Sequence, residues 1–170
     1  EGIEVVIASS DKDFLQLIND RVKMLNPADK SSEPMDAASV VAKTGVRPEQ
    51  IVDWLSLVGD AADNIPGVPG VGVKTAAALL NEFGSVDGIY ERLGKVKRDK
   101  LRDSLAAAEL EVRRNQSLVK LKLDLSGEPE LADLRCGFQD SAKLEELYEA
   151  WGFKALLNNL REARQGALFA

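Results

Sequence analysis

The chain has 170 residues, 45% of them apolar and 29% charged, with a formal net charge of −6. That length fits one domain, or one large and one small lobe, with enough chain to bury a core, and the composition argues against wholesale disorder. With no histidine and a single cysteine, Cys136, the chain cannot host Ser-His-Asp or Cys-His catalysis, histidine-ligated zinc, an intrachain disulfide or a Cys-rich metal site. Cys136 reads as a small loop residue, and so little cysteine suits a reducing, cytoplasmic compartment. No apolar run approaches the roughly 18–20 residues of a membrane helix. The opening Glu-Gly-Ile-Glu shows no signal-peptide pattern, and a chain that starts almost inside a strand is expected to be a piece of something longer.

The stretch Ile3–Ser9 (IEVVIAS) is apolar nearly throughout and rich in Val and Ile, the pattern of a strand covered on both faces in a parallel sheet. Lys12–Asp20 reads as a helix, Arg21–Leu25 as a second strand ended by Asn26-Pro27, and Ala28–Pro34 as a polar loop. Strand, helix, strand at this spacing is a βαβ unit, so the opening belongs to an α/β layer whose further strands are expected upstream.

From Asp36 onward the periodicity is helical. Asp36 can cap a helix through Val40 and Val41 that Gly45 closes, and Pro48 opens one with the stripe Ile51, Trp54, Leu55, Val58 before Gly59. The stripe recurs at Ala76, Leu79, Leu80 and Phe83 before Gly84; Ser85 caps the next helix, with Val86, Ile89, Tyr90 and Leu93, closed by Gly94. Leu101, Leu105, Ala108 and Val112 mark a longer helix. Leu118–Leu125 (LVKLKLDL) alternates and predicts a returning strand. After a loop rich in Gly, Pro and acids come a helix with Leu144, Leu147, Tyr148 and Trp151 and a last one with Phe153, Leu156, Leu157 and Leu160, followed by a frayed tail or linker over Arg161–Ala170.

Between two amphipathic helices, Asn64–Gly84 (NIPGVPGVGVKTAAALLNEFG) holds a segment, Pro66–Gly72, that cannot be helical. Gly70 and Gly72 permit positive φ and leave no side chain between the backbone and a ligand. The turn aims free N–H groups and a helix dipole at one spot, which suits a phosphate, and Lys74 and Thr75 can add an ammonium and a hydroxyl. An ordinary helix–turn–helix connection, in which the glycines merely close the turn, is the plainer alternative. Asp11 and Asp13 follow directly on the first strand, where α/β sheets place ligand-binding groups, and Asp60 and Asp63 follow the Trp54 helix. Folded together, two such pairs give an all-oxygen cage for Mg²⁺ or Mn²⁺. Against this, Ser10-x-x-Asp13 has the form of a capping box, and Asp60, Asp63 and Asn64 could simply form a turn.

GVPGVGVKTAAALL resembles the helix-hairpin-helix element of the flap endonuclease (5′-nuclease) superfamily, LVGDAADNIPG its Gly-Asp-x-x-Asp-Asn signature, and VVIASSDKDFLQL its strand followed by Asp-x-Asp. The likeness is greatest to the 5′–3′ exonuclease domains of bacterial DNA polymerases I and runs from about Gly2 to Leu160. It implies an α/β fold with a mostly helical C-terminal part. Residues 1–35 would belong to a partial, PIN-like parallel-sheet core and 36–117 to a helical region with a helix–three-turn–helix at 64–84. Residues 118–160 would hold the returning strand and last helices, and 161–170 a tail.

The same resemblance implies a structure-specific 5′–3′ exonuclease and 5′-flap endonuclease of DNA replication and repair, bacterial and cytoplasmic. It would be a monomer joined to a polymerase domain downstream and would act on double-stranded DNA with a 5′ flap or nick. Asp11, Asp13, Asp60 and Asp63 fall on metal-ligand positions, mainly for the second of two Mg²⁺ or Mn²⁺ ions. Gly67, Val68 and Val71 would offer backbone carbonyls to K⁺, and Gly70, Gly72, Lys74 and Thr75 would touch DNA. In the family the first ion's carboxylates and the arch that admits a flap strand lie upstream of these motifs, so this chain alone is expected to be inactive. A helix-hairpin-helix DNA-binding module without catalysis, its aspartates serving as caps, is the alternative.

The stretch Arg92–Arg102 (RLGKVKRDKLR) carries six positive residues against one acid, Asp99. Such a run is often only a solvated face; close behind the hairpin, Lys97 and Arg98 could instead extend a phosphate track along a duplex. Without interleaved aromatics, base stacking is not indicated.

Overall fold

Val5–Ala8 forms β1 and Val22–Leu25 forms β2, paired in parallel with Val5 opposite Val22 and Ala8 opposite Leu25. The computed structural model describes residues 2–29, 33–127, 130–135, 137 and 140–167; Cys136 lies outside them. The link between the strands is a 3₁₀ helix, Lys12–Leu17, rather than the α-helix expected over Lys12–Asp20. Its cap is Asp11, not Ser10: the Asp11 carboxylate accepts the Asp13 N–H at 2.9 Å. Leu15 and Ile18 are buried, while Val5 and Val6 of β1 stay about half exposed (46% and 51%), so the two-sided cover predicted for this strand is lacking among the described residues.

The helices follow the periodicity. Helix α1 (Ala37–Thr44) is capped by Asp36, whose carboxylate accepts the Ser39 N–H, and stops at Gly45 in the left-handed region (φ 80°). A 3₁₀ turn at Pro48–Gln50 leads into α2 (Ile51–Val58), closed by Gly59. Then come α3 (Val73–Phe83), α4 (Val86–Glu91) capped by Ser85, and the 21-residue α5 (Asp99–Val119). Helix α4 ends before Gly94, which lies in a 3₁₀ turn, Leu93–Lys95. Ile51, Leu55, Leu57, Leu80, Ile89, Leu105 and Val112 are fully buried in one core. Gln50, itself buried, donates to the carbonyls of Leu80 and Gly84 and so satisfies the open end of α3.

The returning strand over Leu118–Leu125 does not form. Leu118 and Val119 complete α5, and the residues beyond take no regular structure, with Leu123 and Leu125 largely exposed. Alternation makes a strand only where the backbone meets a strand edge, and here the Leu121 N–H is taken by the Gln16 side-chain oxygen at 3.1 Å instead.

The chain divides into two compact units, Glu1–Leu123 and Asp124–Ala170. The second holds α6 (Ser141–Ala150), capped by Asp140, and α7 (Lys154–Ala167). Here the helix runs past Leu160 where a tail was expected, because Arg161 and Arg164 reach back to Glu145, and Arg161 also to Glu149. Among the described residues no helix is long and apolar enough to cross a membrane.

Candidate nuclease site

The 3₁₀ helix after β1 and the loop after α2 bring the two carboxylate pairs to one place. A cavity of about 640 Å³ is lined by Asp11, Asp60 and Asp63, together with Lys12, Lys43, Trp54 and Val73. Asp13 stands close enough to feel the other three. Burial, then repulsion by Asp11, Asp63 and Asp60, pushes its carboxyl up to about 6 against a partial pull from Lys12. Asp13 Oδ1 is buried and has no hydrogen-bond partner.

Asp60 behaves in the opposite way. It is 2% exposed, and its backbone exchanges two 2.8 Å hydrogen bonds with Ile65, closing the loop that carries Asp63. Burial raises its proton affinity. The Lys12 ammonium at 2.8 Å and the Ala62 N–H at 2.9 Å outweigh that and hold it below the usual carboxylate range. Lys12 was not among the residues singled out from sequence, where it is only the middle of Asp-Lys-Asp; nothing local says that it faces Asp60.

Among the described residues no three acidic side chains already form a metal cage. The donor set nevertheless fits a hard cation: it is all oxygen, one carboxylate oxygen is buried without a partner, and a lysine ammonium lies where Asp60 requires positive charge.

The hairpin carries the second part of the site. Gly70 has φ +82°, as a glycine turn requires. Gly72, by contrast, is the extended N-cap of α3 (φ −100°, ψ −178°), a conformation open to any residue, so its use lies in space: a Cβ there would meet nothing within 4 Å. Gly67 is closely packed, since a Cβ would lie 2.1 Å from the Val58 carbonyl oxygen. Val68 and Val71 are buried, and the Val68 carbonyl accepts the Val71 N–H at 3.0 Å. Lys74 and Thr75 sit in the first turn of α3 and share a cavity of about 320 Å³ with Lys97 and Arg98. Folding thus joins the basic stretch to the hairpin, and Val73 and Lys74, adjacent in sequence, line cavities of opposite charge.

The family model described as 5′-3′ exonuclease, C-terminal SAM fold, matches residues 46–142, which include Asp60, Asp63, the hairpin and the basic stretch. A 5′-3′ exonuclease of Aquifex aeolicus (strain VF5) is 38% identical over 173 residues, covering 99% of this chain and 58% of that protein. A thermostable DNA polymerase I of Thermus filiformis is 39% identical over 158 residues, covering 93% of this chain and 19% of the polymerase. The chain therefore spans little more than half of the exonuclease and under a fifth of the polymerase.

Among solved structures, bacteriophage T5 5′-exonuclease with bound divalent metal ions (zinc) matches 68% of this chain and 42% of its own at a TM-score of 0.62 and 29% identity. A bacteriophage T5 flap endonuclease in a pseudo-enzyme–product complex with DNA and metal ions matches equally well, at 28% identity. By its sequence over residues 46–142, the chain belongs to the 5′-3′ exonuclease family.

Proposed function

We propose that the chain is the part of a structure-specific 5′–3′ exonuclease and 5′-flap endonuclease that supplies metal-binding carboxylates and the grip on duplex DNA. The observation that carries this reading is the pair of oppositely charged cavities on either side of the first turn of α3. Asp11, Asp13, Asp60 and Asp63 would hold a divalent ion, Mg²⁺ or Mn²⁺, which when bound lowers the pKa of water and neutralises charge on phosphodiester oxygens. The chain's own residues prepare for it: Asp13 keeps an oxygen unpaired, and Lys12 neutralises Asp60 until a stronger cation competes. Gly70 and Gly72 leave the backbone open, and Lys74, Thr75, Lys97 and Arg98 provide donors along a phosphate backbone. Contacts of this kind hold DNA without reading its sequence.

A K⁺ ion at the carbonyls of Gly67, Val68 and Val71 belongs to the same proposal. The Val68 oxygen keeps a second lone pair after accepting the Val71 N–H. The substrate would be duplex DNA with a 5′ flap or nick, and the relatives that are polymerases support a polymerase-linked whole.

A second reading, a DNA-binding module without catalysis, is favoured by two facts: Asp11 already caps the 3₁₀ helix and Asp60 is already ion-paired. Calorimetric Mn²⁺ titration of the 170-residue chain separates the two. The nuclease reading expects binding that weakens as pH falls through about 6, since protons compete for the Asp13 oxygens. It also expects loss of binding in Asp11→Asn/Asp60→Asn. Parent-like Mn²⁺ binding by that double variant would leave the aspartates as caps.

A further inference from the structure

We propose that the C-terminal end of α5 is the frame that sets the spacing of the two carboxylate pairs, with Asn115 and Gln16 as positioning residues. The inference rests on the metal-site reading for its functional consequence, but its mechanical content stands on contacts within the fold.

Asn115 is 1% exposed, and its side-chain nitrogen donates to the Ser56 carbonyl at 3.1 Å and the Pro66 carbonyl at 2.7 Å. Those two carbonyls bracket the loop that carries Asp60 and Asp63. The Ser56 oxygen lies in the last turn of α2 and loses its helical donor, because the Asp60 N–H is turned to Ile65. One amide therefore satisfies two acceptors and pins both ends of the carboxylate loop. Facing two carbonyls, the amide must present its nitrogen, so its orientation is fixed by its partners. Its oxygen is buried with no partner. A side chain with an unsatisfied acceptor is poor filling for a core, so its contribution is the two hydrogen bonds it donates.

Gln16 does the corresponding work for the other pair. From the 3₁₀ helix its nitrogen donates to the Asp13 carbonyl and the Val119 carbonyl, each at 2.9 Å, and its oxygen accepts the Leu121 N–H at 3.1 Å. Asn115 and Val119 stand about one helical turn apart on α5. Both carboxylate-bearing segments are thus tied to a single rigid turn, although neither contact involves a carboxylate.

Native-state hydrogen exchange by NMR on the 170-residue chain, with Mn²⁺ titration beside it, tests the frame. Asn115→Leu keeps most of the volume and removes both donors. The amides of Asp60, Ile65 and Val68, all hydrogen-bonded in the neck of the loop, should then exchange about tenfold faster or more. Amides inside α3 should change by less than about twofold. Mn²⁺ affinity should fall about tenfold, as when outer-shell support is lost.

Gln16→Leu, at a part-buried site that tolerates substitution more readily, should free the Leu121 amide and lower Mn²⁺ affinity while leaving Asp60, Ile65 and Val68 protected. Acceleration spread evenly over the chain in Asn115→Leu, or none at the three neck amides, would overturn the proposal and make Asn115 ordinary core packing. If Asn115→Leu does not fold, the Gln16→Leu arm decides, and unchanged exchange at Leu121 overturns the frame. Failure of the metal reading has a separate signature: Asp63→Asn would bind Mn²⁺ like the parent, while the exchange pattern would still judge the frame by itself.

Discussion

The acidic and basic cavities are separated by one peptide bond at the start of α3, yet their charges are held in different ways. On the acidic side two of the four carboxylates are withdrawn from water while Asp11 and Asp63 stay exposed: Asp60 is buried, and Asp13 is pushed up to about 6 by burial and by three neighbouring carboxylates. On the basic side Lys74, Lys97 and Arg98 are exposed and solvated. Under the proposed function, a site for a small multivalent cation gains from unsatisfied, crowded oxygens. A track for a long polyanion gains from accessible charges at little cost to the fold. The net charge of −6 therefore says little about nucleic-acid binding, because the excess of acid lies in one cavity, beside Lys12 and Lys43, and an excess of base in the other, beside Glu82.

The most drastic way to break this arrangement is at Gly67, which packs against the end of α2 between the carboxylate loop and the hairpin turn. Gly67→Ala would drive a Cβ to 2.1 Å from the Val58 carbonyl oxygen, against backbone that cannot move without shifting α2. Urea unfolding should show a loss of about 3 kcal/mol or more, with metal and duplex binding falling together. Intact binding of either ligand would show that the cavities are mechanically independent.

Asp13→Asn acts on the acidic side alone and in the opposite direction. Because the folded-state pKa of Asp13 lies above its unfolded value, the folded chain binds the extra proton between about pH 4 and 6. Asp13 is therefore a liability at pH 7 that is relieved as the pH falls through 6. Asparagine removes the liability. The variant should be more stable than the parent at pH 7 by about 1–2 kcal/mol, after discounting for partial exposure. The gap should close near pH 4, read from urea midpoints at several pH values. Asp60, with its lowered pKa, contributes stability that disappears only at still lower pH. Added Mn²⁺ should raise the parent's midpoint more than the variant's. A gap independent of pH would mean that Asp13 carries no stored charge penalty.

How much of this was legible follows from the range of the interactions. Asp36, Gly45, Gly59, Gly84 and Ser85 punctuate helices through contacts within a turn, and each stands where local rules place it. The hairpin glycines were readable as a group, but not the difference between Gly70, which needs positive φ, and Gly72, which does not. The alternation of Leu118–Leu125 misled because a strand needs a partner edge that no local pattern announces. The Lys12–Asp60 pair and the Asn115 amide were invisible for a related reason: they join segments far apart in the chain, and a lone Asn in an amphipathic helix carries no sign of what it will face.

The smallest expected effect on stability, and under the proposed function the sharpest on duplex binding, belongs to the basic side. Lys74 is exposed and has no carboxylate partner among the ion pairs of the described residues, so Lys74→Met should change unfolding free energy by less than about 0.5 kcal/mol. If Lys74 neutralises one phosphate, the variant releases one fewer set of condensed counterions. The magnitude of the log K against log[salt] slope for duplex binding should then fall by about 0.9, equally for any sequence. Gly72→Val is the matched control. Its backbone conformation suits valine, so stability should hold, and net charge is unchanged, yet a side chain would project into the space a phosphate backbone needs. Affinity should fall in that variant at every salt concentration with less change in slope, as expected of a steric block. The titration, run in potassium and in sodium chloride, also separates ion from charge. A K⁺ bound at the hairpin predicts weaker duplex binding in sodium at equal ionic strength, whereas counterion release alone predicts nearly the same line in both. An unchanged slope and affinity in Lys74→Met would remove the first turn of α3 from the DNA surface and leave the basic cavity as a solvated face.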